Sequence, residues 1–210
     1  VAASTTMQVP PISLVPRMAA SMRRQAAAGL LSAAVGIFGV LTIRRNADYR
    51  GELAMWSDVV AQRPQNARAH NNLAVILGRQ GEFDQAVAHG TKALAIQADY
   101  ADAYNNLGTF SARSGHIEAA LALYHKALAL EGGYAEPYNN IGLLLLEQGK
   151  PEAAIERFLK AILVEPGYPD PHHNIGLALA QQGRLADAIP HYTEALRLRS
   201  DFSEAHNNLG

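Results

Sequence analysis

Eight histidines, a series of asparagine doublets and a phased pair of arginines are the residues of this 210-residue chain whose type and spacing could do chemistry. His172 and His173 stand out, with His70 and His206 in phase with the first. Neighbours on a helix point about 100° apart, whereas chelation of one ion suits residues a full turn apart. His172 therefore reads as a packed ring and His173 as a replacement for Asn, and no metal is expected. The chain has no cysteine, which excludes a disulfide framework, thiolate zinc sites and a cysteine nucleophile. There is no Gly-rich phosphate loop, His-Glu-x-x-His helix, Gly-x-Ser-x-Gly elbow or EF-hand loop. The carboxylates are scattered rather than paired in a closed cleft. We expect no enzyme in these residues, and no cofactor.

The doublets are Asn71-Asn72, Asn105-Asn106, Asn139-Asn140, His173-Asn174 and Asn207-Asn208. Asn is a poor helix-interior residue because its amide competes for backbone groups, so its return at one position calls for a reason. One reason is a hydrogen bond between or capping repeats. The other is a ladder of amides on a concave surface, donating to and accepting from a peptide backbone whatever its side chains. Arg79 and Arg113 share a phase, with Glu147 and Gln181 in it later. They either hold a carboxylate or phosphate from one groove wall or answer the dipole at a helix C-terminus.

The elements that position these residues come from a repeat. Asn106-Leu107-Gly108, Asn140-Ile141-Gly142, Asn174-Ile175-Gly176 and Asn208-Leu209-Gly210 recur every 34 residues, with Asn72-Leu73-Ala74 a softened first copy. Gly81, Gly115, Gly149 and Gly183 keep the phase, as do Ala86, Ala120, Ala154 and Ala188. Rings recur at Trp56, Tyr124, Phe158 and Tyr192, with Gly90 the one gap, and again at Tyr100, Tyr134, Tyr168 and Phe202. Apolar positions at spacings of 3, 4 and 7 predict two helices per unit, broken at the phased glycine. Pro190 falls inside a second helix, where it removes a bond to the carbonyl of Ala186. One such pair cannot cover its apolar face, so it stacks on the next.

This pattern resembles the tetratricopeptide repeat, most fully in Tyr138, Ile141, Gly142, Leu145, Ala154, Phe158 and Pro166. Its departures are His70, His172 and His206 at a ring position, Gly90 at another, and Ala98, Gly132 and Ser200 for Pro. The resemblance implies an all-α, right-handed α-solenoid with full repeats at 67–100, 101–134, 135–168 and 169–202 and a fifth opening at 203–210. It also implies a concave groove for a protein or peptide partner. The Asn ladder is similar to the one in the superhelix of the O-GlcNAc transferases. Residues 48–66 occupy the phase of a second helix and read as a capping half-repeat. At the other end, apolar surface around Ile189 and Leu196 is expected to be poorly covered, and the stop within a repeat suggests a longer parent protein.

Residues 1–66 carry seven Arg and three acids, against eleven basic and fifteen acidic residues in 67–202. With a net charge of -1, the chain has no general field to hold a polyanion, and no nucleic-acid partner or small-molecule substrate is expected. Residues 1–25, with three prolines, read as a loop. Ala26–Ile43 is uncharged between Arg23-Arg24 and Arg44-Arg45, and as a helix spans about 27 Å, close to a bilayer's hydrocarbon core. Gly29/Ala33 and Ser32/Gly36 suit packing against a further membrane helix. The stretch LTIRRNADYRGELAMWSDVVAQRPQNARAHNNLA after it resembles the junction in transmembrane and tetratricopeptide-containing O-mannosyltransferases and their bacterial relatives. A membrane-tethered scaffold gripping an extended peptide is thus one expectation. The substrate-recruiting arm of a membrane glycosyltransferase, with its catalytic part upstream, is the other. Alkaline-carbonate extraction should leave the chain in the membrane pellet, while residues 48–210 alone stay in solution; release of the whole chain would contradict the span at 26–43.

Overall fold

A computed structural model describes residues 51–209. The expected loop 1–25, the expected membrane helix 26–43, residues 48–50 of the half-repeat and Gly210 lie outside them. Among the described residues no helix is long and apolar enough to cross a membrane. Ten helices and no strand make up the described chain. They are α1 over 51–62, α2 Ala67–Gln80, α3 Phe83–Ile96, α4 Ala101–Arg113, α5 Ile117–Leu130, α6 Ala135–Glu147, α7 Pro151–Val164, α8 Pro169–Gln181, α9 Leu185–Leu198 and α10 Ser203–Leu209.

Local chemistry sets these bounds. The Asn66 side chain caps α2 by accepting from the Ala69 N–H at 3.0 Å, satisfying a donor with no partner inside the helix. Tyr100, Tyr134 and Tyr168 hold the same extended N-cap position before α4, α6 and α8, with Asp102, Glu136 and Asp170 in the first turns, where carboxylates complement the helix dipole. Each even-numbered helix up to α8 ends at a glycine with positive φ, from 71° at Gly149 to 85° at Gly81, a conformation cheap only without a Cβ. The next residue then donates back into the helix, as His116 does to the Ser111 carbonyl at 2.9 Å and Lys150 to that of Leu145 at 2.9 Å. Pro190 does not end α9, which continues to Leu198. Both Pro190 and Ala186 are exposed, so the carbonyl that loses its donor faces solvent.

Helices pack in pairs, α2 on α3, α4 on α5, α6 on α7 and α8 on α9, while α2, α4, α6 and α8 lie side by side in sequence. Close approach within a pair rests on a ring laid over a glycine. Tyr124, Phe158 and Tyr192 are buried against the backbone at Gly108, Gly142 and Gly176, where an added Cβ would fall inside contact distance of the ring, 2.6 Å in the case of Gly176 and Tyr192. Ala120, Ala154, Ala188, Ala127, Ala161 and Ala195 complete these seams with almost no exposed surface.

Repeat 1 reaches the same end by another route. It has Gly90 where the ring should be, and Phe110 from α4 instead lies over Gly78 and joins Leu73, Ala74, Leu77 and Ala86 in one cluster. Leu53, Trp56 and Val60 of α1 pack on that cluster and cover the start of the array. At the far end Leu185 and Ile189 are 63% and 53% exposed, although their counterparts Ile117, Leu121, Pro151 and Ile155 are half-buried. Leu196, by contrast, packs against Ala195, Phe202 and Ala205.

Gly142→Ala should lower stability by about 1–3 kcal/mol, because its methyl group overpacks the Phe158 ring. Gly133→Ala, with nothing within 4 Å of the new atom, should change it by under about 0.5 kcal/mol. Equilibrium urea unfolding of the two variants checks this contrast, and equal effects would refute the ring-over-glycine seam.

Candidate functional site

The Asn doublets come together as a ladder that bridges repeats. Asn106 Nδ2 donates to Asn71 Oδ1 at 3.1 Å, Asn140 Nδ2 to Asn105 Oδ1 at 3.0 Å, and Asn174 Nδ2 to Asn139 Oδ1 at 2.8 Å. In the first three doublets the first amide is the buried one: Asn71, Asn105 and Asn139 are 4–7% exposed. Asn72, Asn106 and Asn140 are half-buried. Asn71 and Asn105 also donate to the Tyr100 and Tyr134 hydroxyls at 3.4 and 3.3 Å, so each satisfies its oxygen on the following repeat and its nitrogen on the ring that closes its own. Of the two reasons open for the doublets, the bond between repeats is present for three successive rungs. Asn106 and Asn140 commit only their nitrogens to these bonds.

The last rung is built differently. His173 replaces Asn, and its Nε2 lies 3.0 Å from Asn208 Nδ2; the amide donates and the ring nitrogen accepts. The closing ring here is Phe202, which has no hydroxyl for an amide to address. The His173 ring instead lies 4.8 Å from it, and the Arg199 guanidinium stacks 3.7 Å above it while meeting Asp170 at 3.1 Å. Asn207 and Asn208 are exposed on α10.

Carboxylates gather beside the tyrosines of the ladder. Burial pushes the Tyr134 hydroxyl up from its ordinary value, and the Glu136 and Asp102 carboxylates add to this. Tyr168 is raised by burial and then by Asp170, Glu136 and Glu165. Both stay protonated, and the neutral Tyr134 hydroxyl accepts from Asn105. Glu136 is itself raised by burial, with the Tyr134 hydrogen bond opposing and Glu165 and Asp102 adding.

Arg79 and Arg113 are both exposed. Arg79 lines a cleft of about 210 Å³ with Asn72, Trp56, Met55, Glu52, Val75 and Ile76, so Asn72 and Arg79 share a site to which α1 contributes the ring. Arg113 stands near Tyr124, as does Glu147, which leaves its guanidinium in a mixed-charge setting.

The sequence reading did not find partners for the histidines. His70 Nδ1 lies 3.0 Å from His89 Nδ1, and the rings stack at 5.2 Å. His172 pairs in the same phase with His191, their rings 6.0 Å apart. Each pair is 19 residues apart and joins the two helices of one repeat, a spacing visible only once the 34-residue phase is applied to both helices. His70 and His206 also address a carbonyl six residues upstream, Pro64 at 3.2 Å and Ser200 at 3.0 Å. Among the described residues no group of three or more His, Cys, Asp or Glu could hold a metal ion.

A family model described as tetratricopeptide repeat matches residues 44–103, 139–201 and 173–210, and a second such model matches 99–162. The chain belongs to the tetratricopeptide repeat family, a helical scaffold suited to protein–protein interaction and typically without catalysis. It is similar to the crystal structure of MamA, at 26% identity and a TM-score of 0.60 over 75% of this chain and 92% of that one. A thermophilic tetratricopeptide protein of Thermus thermophilus shares the fold at 20% identity and a TM-score of 0.70, over 80% and 91% of the two chains. So does a chain of the APC/C hetero-tetramer Cut9–Hcn1, at 18% identity and 0.69, over 74% of this chain and 30% of that one. No curated protein matches the chain.

Asn139→Ala removes the acceptor of the buried Asn174 amide and should cost about 1–3 kcal/mol, the penalty of an orphaned buried donor. Arg113→Ala, at an exposed site, should stay within about 0.5 kcal/mol. Thermal melts that place both variants together at the wild-type value would remove the ladder from the account of stability.

Proposed function

We propose that this chain is a membrane-tethered scaffold that binds an extended segment of a partner protein along the concave groove of its repeats. The tether is residues 26–43, on the strength of the charge-free run between arginine pairs. The ligand-facing atoms are the Asn106 and Asn140 carbonyl oxygens, with Asn72 and Arg79 contributing at the α1 cleft and Asn207, Asn208 and Arg113 at its margins. One observation carries this reading. The ladder uses the nitrogens of Asn106 and Asn140 and leaves their oxygens, so an acceptor stands in each of the two middle repeats beside Asn71, Asn105 and Asn139, whereas the Asn174 oxygen is met by His173 Nδ1 at 3.3 Å. Such a pair of acceptors matches the backbone N–H groups of an extended peptide and is indifferent to its side chains. The carboxylates of Asp102, Glu136 and Glu165 beside it favour a ligand with cationic side chains. The assembly of Cut9 with Hcn1 in a hetero-tetramer is in keeping with a protein partner.

A second reading rests on the junction at 41–74: the array is the non-catalytic arm of a membrane glycosyltransferase and presents a polypeptide to an active site encoded upstream. Further spans with acidic residues in an outer loop, in the sequence before Val1, would favour it over the first reading.

Peptides selected from a random library on residues 48–210 provide the test, with side-chain amide resonances followed by NMR. Bound peptide should shift the Asn106 and Asn140 amide signals in successive repeats, and lysine-rich sequences should be enriched. Shifts confined to α3, α5, α7 and α9 would overturn the groove as the binding surface.

A further inference from the structure

The histidine pairs of repeats 1 and 4 are unused by the scaffold reading, and their geometry assigns them a role of its own. His70, on α2, is 5% exposed. Its Nε2 lies 3.2 Å from the Pro64 carbonyl, and a carbonyl can only accept, so Nε2 carries the hydrogen. In the neutral ring Nδ1 is then bare. It faces His89 Nδ1 of α3 at 3.0 Å, so that nitrogen is the donor. One tautomer follows for each ring, and the chain of bonds runs from His89 through His70 to the turn before α2. A proton added at His70 Nδ1 would set two N–H groups against each other at 3.0 Å and break the link.

Repeat 4 repeats the arrangement more loosely. His172 on α8 and His191 on α9 stand with rings 6.0 Å apart and tilted by 32°, and His172 Nδ1 is buried without a hydrogen-bond partner. In the two middle repeats the same positions hold Tyr104 with Leu123 and Tyr138 with Arg157, neither pair containing a group that charges between pH 5 and 8. The titrating contact is thus confined to the two ends of the four-repeat array.

We propose that the two histidine pairs are an acid-sensitive latch: at neutral pH they join the paired helices of repeats 1 and 4, and acidification loosens those repeats while repeats 2 and 3 hold. The proposal rests on the pairs alone and not on the peptide groove. The surroundings agree with it. Burial holds His89 below the ordinary imidazole value, and His70 adds to this. His191 is lowered by burial. His172 is lowered by burial, with His191 and Arg197 adding and Glu194 opposing, and Glu194 is itself tied to Arg197 at 2.8 Å. A base whose folded value lies below its unfolded one, about 6.5 for His, binds more protons unfolded. Its contribution to stability is complete above that value and is lost as pH falls below it. Arrays fail repeat by repeat, because each unit contacts only its neighbours, so the loss is local to the ends.

The test compares wild type with a variant that carries the repeat-2 pair at both ends: His70→Tyr, His89→Leu, His172→Tyr and His191→Leu. Wild-type melting temperature should be flat from pH 8 to 7 and fall by several degrees on the way to pH 5, with the fall in the variant at least halved. Parallel declines would overturn the latch. An NMR titration of the wild-type imidazoles decides the matter if the variant does not fold. His89, His172 and His191 should charge only below about pH 6.5, with His70 in the Nε2–H form and His89 in the Nδ1–H form; titration at or above that value, or the opposite tautomers, would also overturn it.

Discussion

Two helices joined by a glycine turn leave one apolar face of the pair in water, and the array is the consequence of covering that face with another copy. The copies can only stack if their axes come close, which the ring-over-glycine seam permits. Tyr124, Phe158 and Tyr192 lie on bare backbone at Gly108, Gly142 and Gly176, and burying one such ring contributes about 1.5–3 kcal/mol over leaving it exposed. The seam also fixes length. A ring sixteen residues after its glycine meets it only if the intervening turn is held, and Gly115, Gly149 and Gly183 hold it by adopting positive φ. Repeat 1 tests this dependence from within the molecule. Without a ring at Gly90, against which Leu107 stands instead, it receives Phe110 of the next repeat over Gly78, so a ring still lies on bare glycine backbone but between repeats 1 and 2.

Apolar stacking alone is indifferent to sliding, and the asparagine ladder answers that. Three amide rungs, each spanning 35 residues, can all form only when every repeat sits in one register on the last. Their net contribution is modest, about 0.5–1.5 kcal/mol each. The larger effect is the cost of any misregistered stack, which would leave buried amides unpaired at about 1–3 kcal/mol apiece. This explains why a poor helix former is kept at the most crowded point of each first helix. It also splits the doublet into roles: the buried amide serves the next repeat, and the half-buried one reaches back with its nitrogen and keeps its oxygen.

The repeat phase, the helix pairs and the turn glycines were legible in the sequence because each depends on residues within one 34-residue unit. Contacts between units were only partly so. The doublets announced that an amide was wanted at one position but not what it bonded, since a bond to the next repeat and a bond to a ligand demand the same residue. The gap at Gly90 was visible, but not the Phe110 ring over Gly78, because that ring comes from a different phase of the neighbouring repeat. Leu196 was expected in the open with Ile189, and it is packed instead through the turn to Phe202. The histidine pairs were missed for a related reason: attention to adjacent and i, i+4 spacings suits a single helix, whereas His70 and His89 meet across two.

Where the units differ is therefore more informative than where they agree. At the fourth repeat two substitutions occur together, His173 for Asn and Phe202 for Tyr. An Asn at 173 would have pointed its nitrogen at a hydroxyl that Phe202 lacks, and a buried donor would have gone unmet. His173 removes that donor, fills the space with a ring against Phe202 and still offers Nε2 to Asn208, so the rung survives a change of chemistry. The exchange brings a titratable ring into the ladder at the repeat where His172 and His191 already stand. Consecutive residues of α8 thus serve the ring contact within a repeat and the bond between repeats, and in both the amide or phenol of the inner units has given way to imidazole. Charge sensitivity in this array is concentrated at its ends because only there do the interlocking contacts use a group whose protonation changes near neutral pH.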